Sequence, residues 1–221
     1  MESPFHSFLK SYFSFEKLVD LFTGVKLMQN ESRLAQWAPP AIGTMNTPNK
    51  STQVRKIGDV RLIVVHTAEA PKQSGVYRNV AAWLCNPKAN ASAHYSVGRD
   101  GIIQCCDEKW IAWHASQANP FSIGIEHEGY AKQTEQEWSD EWNQAMLDNS
   151  AWLVAQICNR WNIPPIWLSA NEIARGEKGI CGHRDVNLAF NKGQGHTDPG
   201  PSFPFTRYIE LINEHMAFLQ K

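Results

Sequence analysis

Three short segments of the chain carry histidine or aspartate in places where protein chemistry is common. His66 ends an apolar run, His183 follows a glycine, and Asp198 stands in a turn rich in glycine and proline. Two histidines and one carboxylate can hold a catalytic zinc ion, whose fourth position is kept for water. The eight histidines allow other combinations, however, and the segment after Asp198 also reads as a simple turn. The spacing of these residues is therefore compatible with a zinc site, but it does not favour this trio over other combinations.

The elements that must position these residues alternate between strands and helices. A continuous apolar run from Val60 to Val65 predicts a buried strand that ends at His66. Other strands are predicted over residues 93–97, 101–105 and 121–126, and helices over 76–84, 135–161 and 206–219. This order predicts an α/β (α+β) fold, in which one domain has a central mixed β-sheet flanked by helices.

The first fifty residues differ from the rest of the chain. Apolar positions such as Phe15, Leu18 and Val25 have helical spacing, and the pattern breaks at Pro39. Residues 43–49 are rich in turn formers. We therefore predict a short helical N-terminal extension with a linker over residues 1–50, and the main domain over residues 51–221.

Composition excludes several classes of protein. The formal charge is -1 without a block of like charges, so no nucleic-acid surface is expected. Five cysteines without a CxxC pair argue against a disulfide framework and a cysteine zinc cluster. No stretch approaches the roughly 20 apolar residues of a membrane span, and the N-terminus lacks the pattern of a standard signal peptide. We expect a monomer that is synthesised in the cytoplasm.

From His66 to about Phe205, the chain resembles the zinc-dependent N-acetylmuramoyl-L-alanine amidases of type 2. This family includes bacteriophage amidase lysozymes and is related to peptidoglycan recognition proteins. The resemblance rests on the order and spacing of residues 63–67 (IVVHT), 92–95 (SAHY), 99–101 (RDG), 112–115 (AWHA), 122–129 (SIGIEHEG), 182–185 (GHRD) and 197–201 (TDPGP).

The resemblance implies one Zn²⁺ ion held by His66, His183 and Asp198 in a catalytic domain over residues 51–221. It also places Glu126 at the acidic catalytic position, and His196 where many relatives carry lysine. Zinc would activate a water molecule, Glu126 would act as general base, and His196 would stabilise the oxyanion. Because histidine, unlike lysine, changes charge near neutrality, activity is expected to fall earlier with rising pH than in lysine-bearing relatives.

Other residues near these motifs have alternative roles. Strand alternation puts Glu126 and Glu128 on one face and His127 on the isoleucine face, and the family position favours Glu126 as the catalytic carboxylate. Trp113, His114 and His94 are the candidates for substrate contact. For His114 the alternatives are support of the zinc site and structural packing. For His94 the alternative is an indirect or structural role.

The implied activity is hydrolysis of the amide bond between N-acetylmuramic acid and L-alanine in peptidoglycan or muropeptides. An endolysin that reaches the wall after release or specialised export is favoured. A cytoplasmic muropeptide-recycling amidase and a non-catalytic peptidoglycan-binding protein are the alternatives. A zinc protease of the HExxH type is excluded because Ala131 stands where the second histidine belongs, and a zinc deaminase is excluded because no PCxxC segment is present.

Overall fold

The computed structural model describes residues 38–219 and the isolated positions 23, 24 and 34. The helices predicted before residue 37 lie outside this range. Within it, the strands are β1 (Ile42–Thr44), β2 (Lys50–Ser51), β3 (Leu62–Thr67), β4 (Tyr95–Gly98), β5 (Gly101–Gln104), β6 (Ile111–Ala112), β7 (Ser122–His127) and β8 (Gly179–Gly182). The helices are α1 (Val76–Leu84), α2 (Glu135–Trp138), α3 (Glu141–Trp161), α4 (Ala170–Arg175), α5 (His183–Phe190) and α6 (Phe205–Leu219).

Six of these strands form one mixed sheet in the order β1-β5-β4-β7-β3-β8. Strand β3 is parallel to both β7 and β8, and β4 is parallel to β7. The pairing of β4 with β5 is antiparallel and follows a tight turn. A separate antiparallel pair joins β2 to β6. The predicted fold, a central mixed sheet flanked by helices, is confirmed.

The two faces of the central strands are buried against different helices. Ile63, Val65 and Ile125 belong to the main core cluster, which also contains apolar side chains of α3 and α6. Leu62 and Val64 point the other way, into a smaller cluster with apolar residues of α4 and α5. Continuous apolar sequence in β3 follows from burial on both faces.

The main differences from the sequence predictions fall in three regions of the chain. Residues 42–44 pair with β5 as an edge strand, so the sheet takes in part of the segment assigned to the linker. The long helix predicted from residue 135 is two helices, because the Asp140 side chain accepts a hydrogen bond from the Asn143 N–H at 2.8 Å and caps a new start. Strand β8 and helices α4 and α5 occupy a region for which we predicted no regular structure.

The described cysteines are free, and four of the five are buried. Cys181, which lies next to the predicted ligand His183, belongs to the smaller core cluster and is 0% exposed. Among the described residues, no helix is both long and apolar enough to cross a membrane.

Candidate active site

The predicted site residues meet at the carboxyl ends of the parallel strands. His66 on β3 is directly opposite Glu126 on β7, so both side chains leave the sheet on the same face. On the other side of β3, Val65 is opposite Gly182, and His183 follows as the first residue of α5. Parallel pairing thus places three side chains side by side at one edge.

Asp198 completes a group that can hold a metal ion. One ligand atom from each of His66, His183 and Asp198 lies within 4.8 Å of the others. The Asp198 carboxylate lies 2.8 Å from His66 Nδ1 and 3.4 Å from His183 Nδ1. Tetrahedral zinc with bonds of roughly 2.0–2.2 Å separates its ligand atoms by about 3.3 Å. The spacing of the three side chains therefore fits a zinc ion.

The electrostatics of this group also suit a cation. Burial opposes ionisation of Asp198, but hydrogen bonds from His183 and His66 hold the pKa of its carboxyl far below the usual range. The pKa of His183 is lowered, chiefly by burial. Burial also lowers the pKa of His66, but the carboxylates of Glu126 and Asp198 outweigh this effect and raise it above the ordinary value. Asp198 is thus ionised and His183 favours the neutral form that a metal requires.

Glu126 and His196 line the same cleft as these three residues, which has a volume of about 860 Å³. Burial raises the pKa of Glu126 to about 7, and Asp198 adds to the effect while His66 opposes it. The His196 ring stacks on His183 with 4.7 Å between centroids and 12° between planes. Its side chain is 75% exposed, and Nδ1 lies 3.8 Å from the Asp198 carboxylate. His196 therefore stands at the open rim of the group.

Two of the three candidates for substrate contact line the cleft. Trp113 and His114 are half-buried in its wall. His94 is 0% exposed and lies beneath them. Its Nδ1 accepts a hydrogen bond from the Gly124 N–H at 3.0 Å, and its Nε2 faces the Trp110 carbonyl at 3.1 Å. This placement gives His94 no direct access to a substrate and corresponds to the structural alternative.

His127 and Glu128 are both directed away from the cleft. His127 is fully buried among the core aromatic residues, as predicted, and its Nε2 lies 2.7 Å from the Ser150 hydroxyl. Glu128 follows the last residue of β7 and is not among the residues that line the cleft. Its carboxylate accepts hydrogen bonds from the Trp142 indole and the Arg99 N–H instead.

Glu69 and Trp83 are two of the cleft residues that the sequence did not indicate. Glu69 adopts a left-handed backbone (φ 50°), and its carboxylate accepts hydrogen bonds from the Thr67 hydroxyl and the Ala131 N–H. Trp83 on α1 lines the cleft with 59% of its surface exposed. Neither residue belongs to a matched motif, since Glu69 follows the motif of His66 by two residues and Trp83 lies between two motifs. An outward-facing tryptophan on an amphipathic helix is nevertheless a usable signal.

A mixed sheet that brings two histidines and a carboxylate together in a cleft is an arrangement typical of metal-dependent hydrolases. Comparison with known proteins identifies the family. The profile of the N-acetylmuramoyl-L-alanine amidase family (Amidase_2) matches residues 56–201. The chain is also similar to N-acetylmuramoyl-L-alanine amidase A of Achromobacter lyticus, with 31% identity over 187 residues that cover 81% of this chain and 93% of the relative. The chain belongs to the N-acetylmuramoyl-L-alanine amidase family and is a peptidoglycan amidase.

Solved structures share the fold. The hydrolase AmiA of Staphylococcus aureus aligns with a TM-score of 0.64 and 20% identity, covering 87% of this chain and 92% of its own. An endolysin mutant from Bacillus subtilis aligns with a TM-score of 0.54 and 20% identity, covering 78% of this chain and 99% of its own.

Proposed function

We propose that this chain hydrolyses the amide bond between N-acetylmuramic acid and L-alanine with one zinc ion held by His66, His183 and Asp198. The observation that carries the proposal is the convergence of these three side chains, far apart in sequence, at one point in a cleft. When bound there, zinc supplies a Lewis acid for the amide carbonyl and a water molecule that loses its proton near neutrality.

The other groups of the cleft supply proton transfer and charge stabilisation. Glu126 faces the cleft beside His66, and its carboxylate takes the proton of the attacking water and returns it to the leaving amine. His196, on the exposed side of the group, donates a hydrogen bond to the oxyanion that develops on the carbonyl oxygen of the scissile amide. Trp113 and Trp83 form an apolar wall of the cleft, against which the substrate packs.

The test is digestion of purified peptidoglycan sacculi with mass analysis of the released material, together with the zinc content of the protein. We expect one zinc per chain and stem peptides that begin with a free L-alanine amine. Glu126→Gln should keep the zinc and lose activity by about 10²- to 10⁴-fold, because only proton transfer is removed. Asp198→Ala should lose both zinc and activity.

Two results would redirect the proposal. A folded, zinc-loaded protein that releases no peptide would be the non-catalytic peptidoglycan-binding protein. A Glu126→Gln variant as active as the parent would remove Glu126 from the mechanism.

We further propose that the physiological substrate is the polymeric wall, which an endolysin meets after release or specialised export. The support is the open cleft, which can accept a segment of a longer chain. Parallel assays on intact sacculi and on soluble muropeptides separate this role from recycling. Cleavage of muropeptides alone would favour the recycling amidase.

A further inference from the structure

We propose that His114 is a positioning residue that holds the ring of the metal ligand His66 through a directed chain of hydrogen bonds. This inference rests on the proposed zinc site and adds a residue to it. Ligating histidines usually donate their second N–H to a fixed acceptor, which sets the ring orientation and its basicity. In this site the acceptor is another imidazole.

The chain of hydrogen bonds has three links. His66 presents Nδ1 to Asp198 and so directs Nε2 away from the metal group, 3.0 Å from His114 Nδ1. His114 Nε2 lies 3.1 Å from the hydroxyl oxygen of Ser122. That hydroxyl in turn lies 2.7 Å from the backbone carbonyl of Ala118.

The last hydrogen bond, from Ser122 to Ala118, determines which atom donates in each of the others. A carbonyl oxygen can only accept a hydrogen bond, so the Ser122 hydroxyl donates its one proton to the carbonyl oxygen of Ala118. Its oxygen must then accept from His114, which places the His114 proton on Nε2. With Nε2 protonated and the ring neutral, His114 Nδ1 accepts from the His66 Nε2–H. His66 Nδ1 is thereby left as the atom that faces the metal.

The surroundings of His114 are built to hold the ring in place. A Cβ atom at Gly124 would lie 2.5 Å from His114 Cγ and Nδ1, so only glycine lets the ring rest against β7. Every second residue of β7, namely Ser122, Gly124 and Glu126, lies on the same face of the strand. The face of β7 that carries Glu126, the proposed general base, therefore also contacts His114. A ligand that binds metal through Nδ1 carries its one proton on Nε2, which leaves His114 Nδ1 to accept and its ring neutral.

The same hydrogen bonds separate a positioning role for His114 from direct substrate contact. Both ring nitrogens have partners within the protein, so neither is available to hydrogen-bond a substrate. Only the ring surface in the cleft wall is left for substrate contact. A positioning role therefore predicts a change in metal affinity and kcat when His114 is altered, whereas substrate contact predicts a change in KM alone.

Four variants and one control test the inference. His114→Leu removes the acceptor for His66, and His114→Gln restores an acceptor and a donor on one side chain. Gly124→Ala displaces the ring without changing its chemistry, and Ser122→Ala removes the far acceptor. His215→Gln is the control, because that buried histidine of α6 pairs with Asp148 of α3 at 2.7 Å, away from the residues that line the cleft.

The first measurement is zinc affinity by competition with a chelator, together with the visible spectrum of the cobalt-substituted protein. His114→Leu and Gly124→Ala should weaken zinc binding by about 10- to 100-fold and change the cobalt spectrum. Ser122→Ala should weaken it by about 2- to 10-fold, as expected for one net hydrogen bond. His114→Gln should recover part of the loss, and the control should match the parent.

The second measurement is the nitrogen-15 spectrum of the imidazole rings in the zinc-loaded parent. We expect His114 as a neutral ring protonated on Nε2. A proton on Nδ1 of His114, or zinc affinity that stays at the parental level in both His114→Leu and Ser122→Ala, would overturn the inference. A parent that binds no zinc would instead remove the proposed metal site, so the two failures are distinguishable.

Discussion

Acid should unfold this protein partly through His94, a buried histidine beneath the cleft. Burial lowers the pKa of His94 from 6.5 to about 3, and the charge of Arg55 adds to the effect. The folded chain keeps the ring neutral because its Nδ1 accepts the Gly124 N–H at 3.0 Å. The unfolded chain protonates it near pH 6.5. The stabilisation that this difference provides is complete above pH 6.5 and is lost as the pH falls toward 3.

The magnitude follows from the two pKa values. At pH 5 the ring is almost fully protonated in the unfolded chain and neutral in the folded chain, which lowers the free energy of unfolding by about 2 kcal/mol relative to pH 7. Below pH 3 the loss approaches roughly 5 kcal/mol, which corresponds to the whole difference between the two pKa values. His94→Asn removes the titrating group and leaves an oxygen that can accept from Gly124. The free energy of unfolding of this variant should therefore fall by about 2 kcal/mol less between pH 7 and pH 5 than that of the parent.

Denaturant unfolding at pH 7, 6 and 5 measures this difference, with a chelator present throughout so that metal release does not contribute. The variant should be less stable than the parent at pH 7, because it loses packing and the contact with the Trp110 carbonyl. Only the slope with pH carries the test. Parallel slopes for the parent and His94→Asn would show that His94 is protonated in the folded state and would refute the reasoning.

Three further predictions concern the metal, the cleft and the helix start. Removal of zinc should abolish activity and lower the melting temperature. When free zinc is 100 times its dissociation constant, zinc binding adds about 2.7 kcal/mol to the free energy of unfolding, and calorimetry with and without chelator measures this loss. Trp83→Ala should raise KM by about 2- to 10-fold with little change in kcat, whereas Phe218→Ala, exposed on α6, should change neither constant in a steady-state assay. Asp140→Ala should cost about 1 kcal/mol and lower the melting temperature by roughly 2–4 °C, because the α3 N-cap is lost.

Strong local signals made much of the fold predictable. The predicted helix over residues 76–84 has the bounds of α1, and the apolar run before His66 is β3. Strand β8 was missed because its four residues contain two glycines and show no alternation. Pairing with β3 and burial hold it in the sheet instead. Tertiary pairing of this kind leaves little trace in a short sequence window.

The site was predictable in its residue types but not in its geometry. Family order indicated Glu126 and the three candidate ligands, and the parallel register of β3 with β7 places Glu126 directly beside His66. Strand alternation alone could not separate Glu126 from Glu128, and the structure puts only Glu126 in the wall of the cleft. The hydrogen bonds from His66 to Ala118 join β3 to residues 114–122, which are far from it in sequence, so no single linear motif contains them.

The way the candidate ligands are held also decides how metal and folding are coupled. His66 and Asp198 are 132 residues apart, so the group exists only when the sheet is assembled, and zinc binding must stabilise the whole domain. Yet the neighbours of His66 in β3, Val64 and Val65, are fully buried without any contribution from a metal. Packing therefore builds the site in advance, unlike a zinc finger, which is unfolded without its ion. The zinc-free protein should keep its near-ultraviolet circular dichroism and a cooperative unfolding transition, and a molten chelated state would contradict this argument.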